Sequence, residues 1–157
     1  MQILILRKNG LLRFLGFFLV ISFGLIMNAF AVKRIYTGFL SNQAISGYDA
    51  VSYFSEGKPL MGTEELKAEY QGANWYFSSQ KNLNRFKNNP KKFAPQYGGY
   101  CAWAVSQGYT AKGDPLYWTI HNEKLYLNYN LSINQKWLNN REAFITQADM
   151  NWPGVIE

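Results

Sequence analysis

The chain has 157 residues, of which 48% are hydrophobic and 17% aromatic, and it carries a formal net charge of +6. This length allows one domain with its own core. The net charge is mild, and Arg7, Lys8 and Arg13 of the N-terminal segment contribute to it, so it does not favour a nucleic-acid partner. The single cysteine, Cys101, excludes an internal disulfide, and one cysteine with one histidine cannot build a four-ligand structural zinc site.

The N-terminal 31 residues have the pattern of a cleavable signal peptide. The basic residues precede an apolar run over residues 14–27, and Asn28-Ala29-Phe30-Ala31 supplies a small-x-small cleavage site. The apolar run is shorter than the roughly 20 residues that span a bilayer. We therefore expect cleavage after Ala31 and export to the periplasm or the medium, without a transmembrane segment in the mature chain. Retention of the segment as an anchor is the alternative.

The first half of the mature chain is predicted to contain short strands and one capped helix. Residues 32–43 form a weakly patterned N-terminal arm, and the domain begins at residue 44. A strand is predicted over Val51–Phe54, closed by a turn at residues 56–59. Two β-type runs, 66–70 and 74–77, predict a hairpin. A helix then begins at the cap Ser78-Ser79, carries Leu83 and Phe86 on one face, and ends before Pro90.

The second half is predicted to contain a short helix, a hairpin and a C-terminal helix, and no internal sequence repeat is evident. The alanines of residues 99–107 and the following Gly108 favour a short helix over a strand. After a loop at residues 111–115, runs at 117–121 and 124–129 predict a second hairpin. Ser132-Ile133-Asn134-Gln135 has the form of a capping box, and apolar residues recur to Ala148, which predicts one C-terminal helix ending before Trp152. The elements indicate a single small α+β domain of antiparallel hairpins and a few helices.

This order of motifs resembles the YHS-domain family in its exported bacterial branch. The resemblance rests on SGYDAVSYFSEGKPLMG, on AEYQGANWYFSSQKNLNRFKNNPKKFAPQYGGYCAWAV, and on GDPLYW and KLYLNYN. It implies an association with metal, copper in particular, because the family's short form accompanies copper-transporting ATPases. That form usually carries three cysteines. The corresponding positions here are Ser46, Ser78 and Asn82, none of which is a thiol.

Cys101 is the main candidate site residue. In the first turn of the predicted helix its thiol would be a redox group or a soft-metal ligand, whereas burial among its aromatic neighbours would make it a packing residue. His121 is the only histidine and therefore the second candidate ligand for copper, although it lies beside a predicted turn. The alternative for His121 is an ordinary surface position.

Four further residues are candidates for ligand contact. Tyr48 and Asp49 place a phenol and a carboxylate after a glycine, and Tyr100 and Trp103 flank Cys101. Asp49 has an alternative role in fixing its own loop through backbone amides. The aromatic content favours a binding module for a small ligand, a metal or a protein partner in the cell envelope, and a simple aromatic core is the alternative interpretation of these rings. No catalytic activity is evident from the motifs. A thiol-dependent redox protein or enzyme built on Cys101 is the alternative.

Overall fold

The computed structural model describes residues 32–157, which fold into short helices and two β-hairpins. The expected signal peptide, residues 1–31, lies outside the described residues. Within the described part, no helix is both long and apolar enough to cross a membrane. This part contains four strands and six α-helices, and each of the two hairpins has helices before and after it in the chain. They are α1 Ser52–Ser55, β1 Thr63–Tyr70, β2 Ala73–Phe77, α2 Gln80–Asn88, α3 Pro90–Phe93, α4 Ala102–Ser106, β3 Asp114–His121, β4 Lys124–Asn128, α5 Leu131–Leu138 and α6 Arg141–Asn151.

Each pair of strands forms its own two-stranded antiparallel sheet, as the sequence predicts. Both hairpins close through two residues of positive φ, Gln71-Gly72 in the first and Asn122-Glu123 in the second. Positive φ at both central residues is the type I′ geometry, whose twist matches that of the strands it joins. The α+β class predicted from the sequence is therefore confirmed.

The first hairpin and α2 share one aromatic core. Trp75 and Phe77 of β2 are buried, and the ring centroid of Phe86 lies 5.0 Å from each of theirs. The cap predicted at Ser78-Ser79 is confirmed at Ser79, whose hydroxyl accepts a hydrogen bond from the Asn82 N–H at 3.2 Å. A second cluster, which includes Tyr97, Tyr126 and Trp137, packs between α4, β4 and the C-terminal helices.

Three sequence predictions of local structure are wrong. Val51–Phe54 is not a strand, because α1 occupies Ser52–Ser55 and its first turn is fixed by the side chain of Asp49. The C-terminal helix begins at Leu131 rather than inside the Ser132–Gln135 box, because β4 ends early enough for Asn130 to be the cap. The single helix predicted there is two helices, separated at Asn139-Asn140.

A helix is confirmed within residues 99–107, but it is shorter than predicted. Cys101 is the N-cap of α4 and not a residue of its first turn. The preceding Tyr97, Gly98 and Gly99 all have positive φ. At Gly98 only glycine fits, since a Cβ there would lie 1.8 Å from the carbonyl oxygen of Arg34. The close approach lets the N-terminal segment pack against this turn, and the Tyr36 N–H donates to the Gly98 carbonyl at 2.9 Å.

Candidate functional site

An apolar pocket of about 210 Å³ lies beside Cys101. Its walls come from α4 and its N-cap, from the loop that follows α4, from the segment joining β4 to α5, and from α5 itself. The lining residues are Cys101, Trp103, Ala104, Tyr109, Ala111, Tyr129 and Ile133. The engineered cavity of roughly 150 Å³ that takes up benzene is of similar size. The volume therefore suits a ligand of one or two small rings.

The thiol of Cys101 forms the inner wall of this pocket and is held in its protonated form. The residue is 1% exposed, and this burial raises the pKa of the thiol. The backbone N–H groups of Ala104, Tyr129 and Trp103 lower the pKa, but by less than burial raises it. The sulfur donates a hydrogen bond to Asn128 Oδ1 at 3.6 Å. Since the thiolate is the nucleophile and the soft-metal ligand, this environment favours a neutral packing and contact group over a reactive one.

Asn128 organises the base of the site. It is fully buried, and its Oδ1 also accepts a hydrogen bond from the Trp103 N–H at 3.2 Å, while its Nδ2 donates to Asn134 Oδ1 at 3.1 Å. The amide thereby joins β4 to α4 and to α5. The Asn128 amide, the thiol and the Trp103 N–H are satisfied in this way, whereas the buried indole Nε1 of Trp103 has no hydrogen-bond partner among residues 32–157.

Two lysines lie on the aromatic walls. Lys136 Nζ is 4.4 Å from the ring centroid of Trp103, and Lys112 Nζ is 5.5 Å from that of Tyr129. Both distances are within the range of cation–π contacts. Trp103 also packs edge-to-face on Tyr109, with centroids 6.3 Å apart. These contacts fix the orientation of the rings that shape the pocket.

Asp49 occupies a second, closed polar site in the first half of the domain. It is fully buried and accepts five hydrogen bonds. Its Oδ1 accepts from the Val51 N–H at 2.8 Å and the Ser52 N–H at 3.3 Å. Its Oδ2 accepts from the Ser78 N–H, the Ser78 hydroxyl and Asn82 Nδ2 at 2.9, 2.6 and 2.8 Å. The carboxylate thus ties α1 to the end of β2 and to α2.

The structure separates the other predicted contact residues from the pocket. Tyr48 forms an isolated bridge with Met61, and neither Tyr48 nor Asp49 lines the pocket. Tyr100 points elsewhere, since its hydroxyl donates to the Lys33 carbonyl at 2.7 Å and its ring packs on Tyr36. Of the five candidates for ligand contact, Cys101 and Trp103 line the pocket.

Cys101 and His121 are not brought together. Cys101 bridges Leu127 of β4, whereas His121 pairs with Lys124, three residues away along the same strand. At about 3.3 Å per residue the two positions are roughly 10 Å apart along β4. His121 Nε2 instead lies 2.7 Å from Glu142 Oε1.

The remaining donors do not fit a copper site either. Within residues 32–157 no group of three His, Cys, Asp or Glu side chains is placed to hold a metal ion. Met61 and Met150 are more than half exposed and do not line the pocket. At the positions corresponding to the family's cysteines, Ser78 and Asn82 donate to Asp49 and Ser46 is exposed on a turn. Copper(I) requires soft sulfur ligands, and these positions offer none.

Comparison with known proteins places a family match in the first half of the domain. Residues 51–97 match the model of the YHS domain. This range runs from the residue before α1 to the turn at Tyr97, and it does not include Cys101 or the residues of the pocket. No curated protein and no solved structure is significantly similar to the chain.

Proposed function

We propose that this chain is an exported YHS-type binding protein whose second half holds a small apolar ligand in the pocket beside Cys101. The observation that carries the proposal is the pocket itself, about 210 Å³ of apolar space walled by three aromatic rings. Apolar pockets with few polar groups are the usual form of a small-molecule site. Export is supported by the basic and apolar N-terminal segment with its small-x-small site.

The geometry favours binding over thiol chemistry. The raised pKa and the hydrogen bond to Asn128 keep the proton on Cys101. A nucleophilic cysteine instead needs a neighbouring base or cation that lowers its pKa. The sole histidine, His121, lies with its Nε2 2.7 Å from Glu142 Oε1 and not beside the thiol. Cys101 therefore serves as a polarisable wall for the ligand.

Binding of indole to the purified chain tests this proposal. Indole is apolar and of the size that the pocket admits, and at 100 times its Kd a ligand stabilises the folded state by about 2.7 kcal/mol. We expect a saturable rise in the melting temperature with indole and one binding site by calorimetry. Copper(I), added in place of indole with a competing chelator, should show no stoichiometric binding.

Ala111→Phe is the matched loss-of-binding variant, because Ala111 lines the pocket and a phenyl ring there fills it. Ala143→Phe adds the same ring at an exposed position on α6 and is the control. Indole should raise the melting temperature of the control as much as that of the wild type. It should not change the melting temperature of Ala111→Phe. Equal stabilisation of all three proteins would show that indole binds elsewhere, and the proposal would fail.

A further inference from the structure

The two hairpins have the same strand register. In the first, residues 67–70 pair with 76–73, and the pairing then jumps to Thr63↔Phe77 across a bulge. In the second hairpin, residues 118–121 pair with 127–124, and after a bulge the next pair is Asp114↔Asn128. Adding 51 to both members of any pair in the first hairpin gives a pair in the second. The bulge, the two-residue turn and the strand lengths are therefore all reproduced.

The segments around the hairpins repeat as well. Each hairpin is preceded by a turn of positive-φ residues, 45–47 or 97–99, and then by a short helix. The Asp49 N–H donates to the Leu60 carbonyl at 2.8 Å, and the Cys101 N–H donates to the Ala111 carbonyl at 2.9 Å. After each hairpin, the next helix is capped by a side chain that accepts a hydrogen bond from the backbone N–H three residues later. The capping residues are Ser79 in the first unit and Asn130 in the second.

We infer that residues 44–93 and 96–151 are two copies of one structural unit, in which Asp49 and Cys101 occupy the same position. Matching positions in the two units differ by 52 in residue number up to the short helix, and by 51 from the end of the loop that follows this helix. Sequence identity is sparse: it comprises a short motif, Gly-Tyr-x-Ala, at residues 47–50 and 99–102, and scattered positions that include Gly62/Gly113, Asn88/Asn139, Asn89/Asn140 and Phe93/Phe144. The backbone has kept the unit while the side chains have diverged.

The surroundings of Asp49 and Cys101 support this equivalence. The N–H groups of Val51, Ser52 and Ser78 donate to the Asp49 carboxylate. At the matching positions, the backbone N–H groups of Ala104, Tyr129 and Trp103 lower the pKa of the Cys101 thiol and so partly oppose the effect of its burial. A thiol offers one atom where a carboxylate offers two oxygens. In the second unit Asn128 Oδ1 supplies the missing acceptor for the Trp103 N–H.

The differences between the units explain why the second one is open. In the first, the Ser52 hydroxyl donates to the Lys58 carbonyl at 2.9 Å and accepts from the Leu60 N–H at 3.1 Å, which ties the loop to α1. Ala104 and Ala111 hold the positions of Ser52 and Leu60, and both line the pocket. Alanine can neither make these hydrogen bonds nor fill the space of a leucine side chain. The two alanines therefore determine the pocket and the small apolar ligand that it admits.

Transplanting the first unit's residues tests this role, which rests on the proposed function. Ala104→Ser combined with Ala111→Leu should reduce indole affinity at least tenfold, while the melting temperature stays at or above that of the wild type. Ala143→Leu, at the exposed position on α6, is the control and should bind as the wild type does. Unchanged affinity in the double variant would overturn the assignment of the two alanines.

A second experiment tests the equivalence of the units without any ligand. Asn82 donates to Asp49, and the matching pair in the second unit is Ile133 and Cys101. Cys101→Asp and Ile133→Asn should each lower the melting temperature, and together they should lower it by less than the sum of the two shifts. Additive shifts would overturn the equivalence. Because this readout needs no binding, failure of the indole experiment alone would count against the proposed function and not against the repeat.

Discussion

Replacing Asp49 with asparagine probes the network that holds α1 in place. An asparagine side chain keeps one acceptor oxygen, whereas the carboxylate uses two, one for the Val51 and Ser52 N–H groups and one for Ser78 and Asn82. The arrangement that retains most bonds points the oxygen at Ser78 and the amide NH₂ at the Val51 N–H. That buried N–H then loses its acceptor, and the retained hydrogen bonds lose their charge.

The expected cost is about 2–5 kcal/mol, because an unsatisfied buried donor costs roughly 1–3 kcal/mol and charge-assisted bonds are worth about 1.5–3 kcal/mol each. Relief of the carboxylate's desolvation offsets part of this sum and sets the lower end of the range. The assay is urea unfolding at pH 7, followed by circular dichroism, for wild type and Asp49→Asn.

Asp114→Asn is the matched control. Its Oδ1 accepts one hydrogen bond, from the Leu116 N–H at 2.9 Å, at an exposed site, so we expect a loss below about 1 kcal/mol. A loss below about 1 kcal/mol for Asp49→Asn as well would refute the argument, because it would mean that water or a rearranged loop satisfies the donors around position 49.

Three other predictions concern stability. Phe86→Ala should cost about 3–5 kcal/mol in urea unfolding, since the ring is 1% exposed between aromatic neighbours, and a loss below about 1 kcal/mol would mean that it is not in the core. Burial raises the pKa of Cys101 and raises that of Tyr126 to about 12, so both favour the neutral form in the folded state. Their stabilisation is complete below the unfolded pKa values, near 8.5 and 10, and is lost as the pH rises through the folded values. The free energy of unfolding should therefore fall above about pH 8.5. Tyr126→Phe should make the decline between pH 10 and 12 less steep without removing it, because burial also raises the pKa values of Tyr53, Tyr97 and Tyr100. A decline of unchanged steepness in that variant would exclude a contribution from Tyr126. Glu123 has a φ of 58° where the first hairpin has Gly72, so Glu123→Gly should stabilise the fold by about 0.5–1 kcal/mol in thermal unfolding, and a lower melting temperature would contradict this.

The hairpins and α2 could be predicted because their signals are local. Alternating aromatic and β-branched residues, a two-residue connection and a serine cap are all contained within a few positions of the chain. α1 lacked such a signal, because a four-residue helix has no measurable period and is fixed by a carboxylate that also contacts Ser78, 29 positions away. Asn130 rather than Ser132 caps α5, because β4 ends at Asn128 and the chain can begin the helix two residues before the predicted capping box.

The candidate site could be predicted only in part. Cys101 and Trp103 were found because a sole cysteine beside a tryptophan is conspicuous in a sequence. Tyr109, Tyr129 and Ile133 come from three other segments, and nothing in their local pattern marks them as neighbours of the thiol. Asn128 was missed for the same reason, since its role depends on a strand placing its amide beside the N-terminus of α4. The repeat is not evident in the sequence because few residues are identical between the two units and, apart from Gly-Tyr-x-Ala, the identical positions are scattered.

The most direct test of the central claim is to map indole binding by ¹H–¹⁵N NMR on the wild-type chain. We predict shifts that saturate together at the amides lining the pocket, those of Cys101, Trp103, Ala111 and Tyr129 foremost. A polar cleft of about 180 Å³ that includes Arg34 is the internal comparison, and its amides should not shift. Shifts confined to that cleft, or no saturable shifts at all, would contradict the account.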